Sequence, residues 1–476
     1  MTGKNHFGRL LFILIVTWIV CMALYRLPEE ILGLTIKKVD MLSEIRRRTG
    51  YVSGDTLLSN PAANLFFIPD SAYIHQSDSL MLLRRDSLYM SLLAGVGPDT
   101  ANLRIKDFSV GRTGLRRFFG SLNRVGTMER PVRIAFMGDS FIEGDIVVAD
   151  FRAMMQAHFG GHGVGFVPIA SHVEQYRPTI RQRAKGWQTY SILSNRSYGE
   201  YVLSGLLFEA GNDEASVSFE TTDTYPCLGN VSSLKFIYSR NLHAKVRLTC
   251  NKAEDTVDDV LPETDSIMQY EKRGSFTDGQ FRFYRAKGLQ ALGIALEDST
   301  GIVVDNFSLR GNAGIVWTAL DEDVCRTWNA IRTYDLIVVQ YGLNVAAGNV
   351  KNYTWYEEEM EKTVRHLKRC FPDSDILLLS VSDRSHYYDG AYRTMPAIIS
   401  LWNTQYRIAR KEGLPFWSTF HAMGGEDGMA RFVKKHLAGK DYTHLSFRGG
   451  REIAAALYDA LMFEKKLYDE MEEVRD

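Results

Sequence analysis

The segment Val132–Ser140 (VRIAFMGDS) decides the fold class of this chain. Its first six residues form a nearly continuous apolar run, which is typical of a strand buried on both faces of a parallel sheet. Gly138 ends the run, and apolar residues then recur at helical spacing over Ile146–Phe159. A strand that gives way to a helix places Ser140 at the carboxyl edge of the sheet, where open α/β folds bind their ligands.

The same alternation of apolar strands and amphipathic helices is predicted in the second half of the chain. Buried strands are predicted at Ile302–Asn306, Leu336–Gln340, Ile376–Val381 and Pro415–Trp417. Helices are predicted from Thr354 to about Cys370, over Ile398–Lys411 and over Arg451–Leu461, with Thr354–Glu357 as a capping box and Ser446 as an N-cap. The expected fold class is α/β, with a doubly wound, mostly parallel, flavodoxin-like sheet.

Between about 180 and 300 the pattern changes to short alternating runs separated by turn residues, which indicates an inserted antiparallel β-sandwich. These runs are Ala215–Phe219, Leu234–Tyr238, Lys245–Thr249 and Phe281–Tyr284. Cys227 and Cys250 fall in this stretch, and either a disulfide or two free buried thiols is compatible with the sequence.

The first 26 residues are predicted to be a membrane anchor or a signal segment. Leu10–Tyr25 is an uncharged apolar run, just long enough to span a bilayer core, and it follows Lys4 and Arg9. No small-x-small cleavage site follows it, which favours an uncleaved anchor over a cleaved signal peptide. Residues 27–130 are predicted to be a helical and irregular connecting region, with apolar residues at helical spacing from Ile31 to Leu42 and around Leu115 to Leu122.

The predicted organisation is therefore 1–26 anchor, 27–130 connecting region, 131–180 first part of the α/β domain, 181–300 β-sandwich and 301–476 second part. With 476 residues and a formal net charge of −1, the chain offers no basic field for nucleic acid. No zinc-type cysteine spacing or phosphate-loop signature occurs, so no cofactor and no metal are predicted. Glu143 and Asp145 follow the first strand, where carboxylates more often complement a helix dipole than bind a metal.

Four segments carry the chemistry. Ser140 is a candidate nucleophile, and Asn344, in Gly342–Asn344 after a buried strand, is a candidate oxyanion donor. Gly311, in a glycine-containing loop, is a weaker candidate for a backbone oxyanion donor. Asp441 and His444 lie three apart, a spacing that lets the carboxylate accept the ring N–H of the same histidine and orient it as a general base.

Together these segments resemble the four sequence blocks of the SGNH (GDSL-type) hydrolase family, over roughly residues 131–180 and 300–465. The resemblance implies a catalytic triad of Ser140, Asp441 and His444. It also implies an oxyanion hole made by the Ser140 N–H, the Gly311 N–H and the Asn344 amide. The chain departs from the family pattern at Phe141, where the GDSL motif has leucine.

Within that family the chain resembles peptidoglycan O-acetylesterases, in which a carbohydrate-binding-type β module interrupts the catalytic domain. This implies an esterase that removes O-acetyl groups from peptidoglycan or another envelope glycan. Under that interpretation Trp187, Tyr190 and Tyr201 of the insertion are candidates for stacking on sugar rings, with core packing as the alternative. One alternative is an O-acetyltransferase that works with a membrane acyltransferase partner, and another is a non-catalytic glycan-binding protein. The expected location is the inner membrane with the body in the periplasm, or outside the cell if residues 1–26 are cleaved. The expected contacts are the glycan and, through residues 10–25, the membrane, but no nucleic acid.

Overall fold

The computed structural model describes residues 30–31, 34–35, 87, 89–91, 102–348 and 350–473. Its strands, in chain order, are β1 (Glu30–Ile31), β2 (Leu34–Thr35), β3 (Lys106–Asp107), β4 (Val132–Gly138), β5 (Gly165–Val167), β6 (Ile180–Lys185), β7 (Trp187–Ser191), β8 (Leu206–Ala210), β9 (Glu214–Thr221), β10 (Val231–Arg240), β11 (Lys245–Cys250), β12 (Asp255–Val260), β13 (Met268–Phe276), β14 (Asp278–Tyr284), β15 (Gln290–Glu297), β16 (Ile302–Ser308), β17 (Leu336–Gln340), β18 (Asp375–Leu379), β19 (Ser385–Tyr388), β20 (Ala391–Thr394) and β21 (Pro415–Trp417).

The helices, in chain order, are α1 (Arg116–Asn123), α2 (Val148–Phe159), α3 (Glu322–Ile331), α4 (Thr354–Cys370), α5 (Pro396–Glu412), α6 (Thr419–Ala422), α7 (Gly428–Lys434) and α8 (Phe447–Glu473). Short 3₁₀ turns lie at Val110–Arg112, Glu143–Asp145, Glu174–Tyr176, Pro226–Leu228, Ile315–Ala319 and Leu343–Val345.

A six-stranded sheet in the order β16-β4-β17-β18-β21-β3 forms the centre of the α/β layer. Its first five strands pair in parallel, and β3 closes the edge antiparallel to β21. Every residue of β4, β17 and β18 is buried, as expected of strands covered on both faces. Helix α2 packs against α8, and α4 packs against α5. The predicted α/β class with a mostly parallel sheet is confirmed.

Between β4 and β16, the chain forms two antiparallel sheets that face each other. One has the path β13-β10-β15-β8-β7, with β5 also paired to β15, and the other has the order β12-β11-β14-β9-β6. Their inner faces share an apolar core rich in phenylalanine, including Phe236, Phe281 and Phe283. The antiparallel part therefore begins before residue 181, since β5 at Gly165–Val167 already belongs to it.

A buried ionic cluster joins the sandwich to the α/β layer. Glu297 at the end of β15 is fully buried and accepts hydrogen bonds from Arg133 of β4, Lys235 of β10 and Arg332 after α3. Arg332 also binds Asp305 of β16. Burial alone would raise the pKa of Glu297, but the three cations hold it well below its ordinary value. The carboxylate stays charged, so its partners are required in the folded chain.

Two helix-end predictions need correction. The capping box at Thr354–Glu357 is wrong: Tyr353 is the N-cap, and the Thr354 hydroxyl donates to the Asn352 side chain. Glu357 pairs instead with Arg407. The final helix begins at Phe447 and continues to Glu473, well beyond the predicted Arg451–Leu461. Ser446 acts as predicted, because its hydroxyl accepts the N–H of Gly449 in the first turn.

The N-terminal region also differs from expectation where it is described. Glu30–Ile31 and Leu34–Thr35 form an antiparallel pair rather than a helix. Lys106–Asp107 was predicted to belong to a connecting region, but it pairs with β21 in the six-stranded sheet. The predicted helix around Leu115–Leu122 is present as α1. The apolar segment 10–25 lies outside the described residues. Among those described, no helix combines the length and hydropathy needed to cross a bilayer.

The cysteines and aromatic residues singled out in the sandwich have structural positions. Cys227 and Cys250 are both free thiols. Trp187 packs edge-on against Phe283 and donates its ring N–H to a backbone carbonyl. Tyr201 is buried, and Tyr190 stacks on a neighbouring tyrosine. The core-packing alternative therefore applies to Tyr201, which is buried, and to Trp187, which is partly buried against the sandwich core.

Candidate active site

Three neighbouring strands of the α/β sheet end at the same level. Gly138, the last residue of β4, pairs in register with Ser308 of β16 on one side and Gln340 of β17 on the other. Because these strands are parallel, the loops that follow them leave from one edge. Those loops contain Ser140, the stretch Leu309–Gly314 and the stretch Tyr341–Asn344, so three of the four predicted segments meet there.

The fourth segment completes a hydrogen-bonded chain with the first. Ser140 Oγ lies 3.0 Å from His444 Nε2, and His444 Nδ1 lies 2.7 Å from Asp441 Oδ2. The carboxylate thus fixes the ring with one nitrogen protonated and leaves the other free to accept the serine proton. Residues 304 positions apart in sequence are brought into contact in the arrangement that the sequence predicts.

The Asp441–His444 turn is stabilised by its own backbone. Asp441 Oδ1 accepts the N–H groups of Thr443, at 3.1 Å, and His444, at 3.2 Å. Burial acts to raise the pKa of Asp441, but the bonds from the His444 ring and from the two backbone N–H groups outweigh it and the pKa is lowered. The carboxylate is therefore ionised whenever the imidazole serves as a base. Tyr442, within the turn, adopts a left-handed φ of +54°.

Two glycines bring this turn to the nucleophile. Gly449 and Gly450 lie in the first turn of α8, directly after the acid–base turn. A Cβ on Gly449 would collide with the Leu437 carbonyl, and a Cβ on Gly450 would lie 2.7 Å from the Val147 N atom. Helix α8 can therefore begin in contact with the loop that follows Ser140. This close approach lets the Asp441–His444 turn lie beside the loop that carries Ser140.

The oxyanion side contains a network that sequence reasoning missed. The Asn344 amide donates to Asp139 Oδ2 at 3.0 Å and to the Asn312 carbonyl at 2.9 Å. Asp139 Oδ1 accepts the Phe141 N–H, and Asn312 Oδ1 accepts the Gly314 N–H. Asp139 and Asn312 are fully buried. The signal for Asp139 was available, because a carboxylate directly after a nearly continuous apolar strand needs buried partners.

Burial raises the pKa of Asp139 to about 6, and the bonds from the Phe141 N–H and the Asn344 amide only partly offset that effect. The nearby His444 ring also favours the ionised form. Gly311 lies in the same loop as Asn312 and has a φ of +79°, which a glycine adopts without strain. The site thus contains Ser140, Gly311 and Asn344 on adjoining loops.

The carboxylates after the nucleophile are bound by arginines. Asp145 is buried and accepts hydrogen bonds from Arg152, Arg177 and the Asn306 amide. Glu143 pairs with Arg310, next to Gly311. These contacts link the loop after β4 to α2, to Arg177 and to the loop that carries Gly311.

Four other histidines, which could have competed with His444 for the role of base, have other surroundings. His162 binds Asp298, and His421 bonds to Ser418. His386 lies in β19 and stacks on Tyr388, and His436 adopts a left-handed φ. His444 is the histidine that the structure brings to Ser140.

The architecture matches known structures although the sequence does not match a known family. A solved structure described as a peptidoglycan O-acetylesterase in action superposes with a TM-score of 0.63 at 22% identity, covering 76% of this chain and 99% of that one. The chain shares the fold of that structure. The resemblance predicted from its four segments is thereby confirmed at the level of fold.

Two further structures are family two carbohydrate esterases. One, from Cellvibrio japonicus, is 12% identical, with a TM-score of 0.26, covering 61% of this chain and 98% of that one. The other, from Clostridium thermocellum in complex with cellohexaose, is 8% identical, with a TM-score of 0.27, covering 59% and 100%. Both scores are too low to carry an argument. Neither a protein-family profile nor a curated protein sequence matches this chain.

Proposed function

We propose that this protein is a serine esterase that removes O-acetyl groups from peptidoglycan or another envelope glycan through an acyl-enzyme on Ser140. The observation that carries the proposal is the continuous chain from Ser140 Oγ through the His444 ring to Asp441, with contacts of 3.0 and 2.7 Å. A serine hydroxyl becomes a competent nucleophile when an oriented base accepts its proton.

In the proposed reaction Ser140 Oγ attacks the acetyl carbonyl while its proton passes to His444 Nε2. The carbonyl oxygen becomes an oxyanion, for which the Ser140 N–H, the Gly311 N–H and the Asn344 amide are the candidate donors. The tetrahedral species then expels the sugar oxygen, which takes the proton from His444. Water, deprotonated by the same ring, attacks the acetyl-serine and releases acetate and free Ser140.

The Asn344 amide needs to change partners during this cycle. Both of its hydrogens are engaged, one by Asp139 Oδ2 and one by the Asn312 carbonyl. A developing oxyanion offers a stronger acceptor than a neutral carbonyl. We infer that the bond to Asp139 keeps the amide oriented while the hydrogen directed at Asn312 turns toward the oxyanion.

The choice of an acetylated glycan is supported by the solved structure that matches 76% of this chain, which is named as a peptidoglycan O-acetylesterase. We further propose that the apolar segment 10–25 places the body on the outer side of a membrane. A reporter fused at the C-terminus that is active only outside the cytoplasm tests that placement, and an inactive reporter on an intact chain contradicts it.

The decisive experiment compares wild type with Ser140→Ala and with Ser194→Ala, an exposed serine of the sandwich region. Acetate release from O-acetylated cell wall and hydrolysis of a small acetate ester are measured together. Ser140→Ala is expected to lose about six orders of magnitude in turnover while its far-UV circular dichroism is unchanged, and Ser194→Ala keeps wild-type activity. Full activity of Ser140→Ala overturns the proposal. If the acetyl group is found on an added glycan and no acetate is released into water, the protein is an acetyltransferase instead of a hydrolase.

A further inference from the structure

The loop after β18 carries a tyrosine-rich hairpin at the active-site edge. Strand β18 lies beside β17, whose own loop carries Asn344, so the chain leaves both strands at the same edge of the sheet. The hairpin consists of β19 and β20, which pair antiparallel with Tyr387 directly opposite Tyr392. Cross-strand partners project from the same face, so the two rings share one side of the hairpin.

This hairpin contacts the acid–base turn directly. The Ser385 N–H donates to the Tyr442 carbonyl at 3.1 Å, and Tyr442 lies between Asp441 and His444. The Tyr392 ring stacks on the Tyr442 ring with centroids 3.5 Å apart and planes within 6°. Tyr387 meets Tyr392 edge-on at 5.2 Å. A continuous series of three aromatic rings thus begins inside the catalytic turn and runs outward from it.

The base of the hairpin is firmly held, whereas its aromatic face is open. Buried Asp383 accepts hydrogen bonds from the Thr394 hydroxyl and the Met429 N–H. Tyr387 is 63% exposed and Tyr392 is 39% exposed, which is unusual for large aromatic side chains. Rigid, exposed rings beside a reaction centre lose little entropy when they bind a ligand, because their geometry is already set.

Resting on the proposed function, we propose that Tyr387 and Tyr392 form a substrate subsite on which a pyranose ring of the acetylated glycan stacks. Flat aromatic faces next to hydroxyl groups suit the apolar C–H face and polar rim of a sugar. The position beside the acid–base turn directs a bound chain toward Ser140. A small acetate ester has no ring to stack and gains nothing from this face.

The test uses the full chain in four forms: wild type, the double variant Tyr387→Ala/Tyr392→Ala, Tyr387→Phe and the control Leu242→Ala. Leu242 is a 50% exposed apolar residue of the sandwich and is expected to behave as wild type. For the double variant, kcat/KM on O-acetylated glycan falls about tenfold or more, with the change mainly in KM. Its loss on a small acetate ester is at least fivefold smaller. Tyr387→Phe keeps the ring and restores most of the glycan activity.

A binding arm separates this inference from the proposed function. Sedimentation with insoluble O-acetylated cell wall is measured for Ser140→Ala with and without the two tyrosine changes, so no turnover is needed. Weaker sedimentation of the tyrosine variant supports the subsite even where no hydrolysis is detected. The subsite is contradicted if Ser140→Ala sediments equally with and without the tyrosine changes and if the double variant loses the same fraction of kcat/KM on the glycan and on the small ester. That result contradicts the subsite even if Ser140 proves to be the nucleophile. If the tyrosine changes abolish self-association of the protein and leave glycan binding unchanged, the aromatic face binds a second copy of the chain. That outcome also contradicts the subsite.

Discussion

Asp139, beside the nucleophile, is fully buried, whereas the side chains of Asp441 and His444 are 52% and 40% exposed. The oxyanion side is positioned by packing and by hydrogen bonds between loops that leave three strands. The acid–base side is positioned by a four-residue turn, its internal hydrogen bonds and the close start of α8. A site built in this way has one half fixed by the core and the other fixed locally at the surface.

The largest expected effect tests the exposed half. Asp441→Asn removes the charge that orients the His444 ring, and turnover of a small acetate ester is expected to fall about 10⁴-fold. The thermal midpoint should hardly change, because the side chain is half exposed. Lys440→Ala, in the same turn region, serves as the control with normal activity. An Asp441→Asn enzyme that keeps a tenth of wild-type turnover would show that the turn orients the ring without its carboxylate.

The next effect tests the buried half. Asn344→Ala removes a candidate oxyanion donor, and turnover is expected to fall about 10²–10³-fold. Unlike the change at Asp441, it leaves the buried Asp139 carboxylate short of a donor, so stability should also fall by about 1–3 kcal/mol. Activity and urea unfolding are measured on the same samples, with the exposed Asn230→Ala as control. Lost activity with no lost stability would contradict the inferred bond to Asp139.

The smallest effect distinguishes the two halves by pH. Asp139→Asn is expected to lower turnover about tenfold at pH 8, because a charge-assisted bond to Asn344 is weakened. In wild type the pKa of Asp139 is raised to about 6, so protonation below that pH weakens the same bond and lowers kcat. The variant should lack the step due to Asp139, whereas the requirement for a neutral His444 ring as base applies to both proteins. If the pH profile of kcat has the same acid limb in wild type and variant, protonation of groups other than Asp139 causes that limb.

The same carboxyl makes a prediction for stability with a definite sign. Its folded pKa of about 6 lies above its ordinary 3.8, so its contribution to folding is largest below 3.8 and is lost as pH rises through 6. Asp139→Asn should therefore flatten the pH dependence of the unfolding free energy in this window.

Much of the catalytic geometry could be predicted from the sequence because it depends on short segments. Leu336–Gln340 was predicted to the residue, since an uninterrupted apolar run of that length specifies a buried strand. The Asp441–His444 spacing is itself a turn that lets the two side chains meet. In both cases the information is local.

The remainder depends on contacts between distant residues. Nothing near Asp139 in sequence indicates that Asn344 and Asn312 would surround it. The tyrosine hairpin was not predicted, because its strands contain polar residues and bury little surface. Thr354 was assigned as a cap from a four-residue pattern. In the structure the Asn352 side chain accepts the Thr354 N–H, which the Glu357 side chain would accept in a capping box. Local patterns cannot decide between acceptors that compete for the same donor.

The charged cluster around Glu297 has a consequence for protein engineering. Excising the sandwich as a free-standing module would leave Glu297 without Arg133 and Arg332. Removing the sandwich from the enzyme would take the Glu297 carboxylate from Arg133 and leave Arg332 with Asp305 alone. Grafts between homologous scaffolds would have to transfer all three residues as one set. The boundary that sequence texture suggests is thus a poor place to cut.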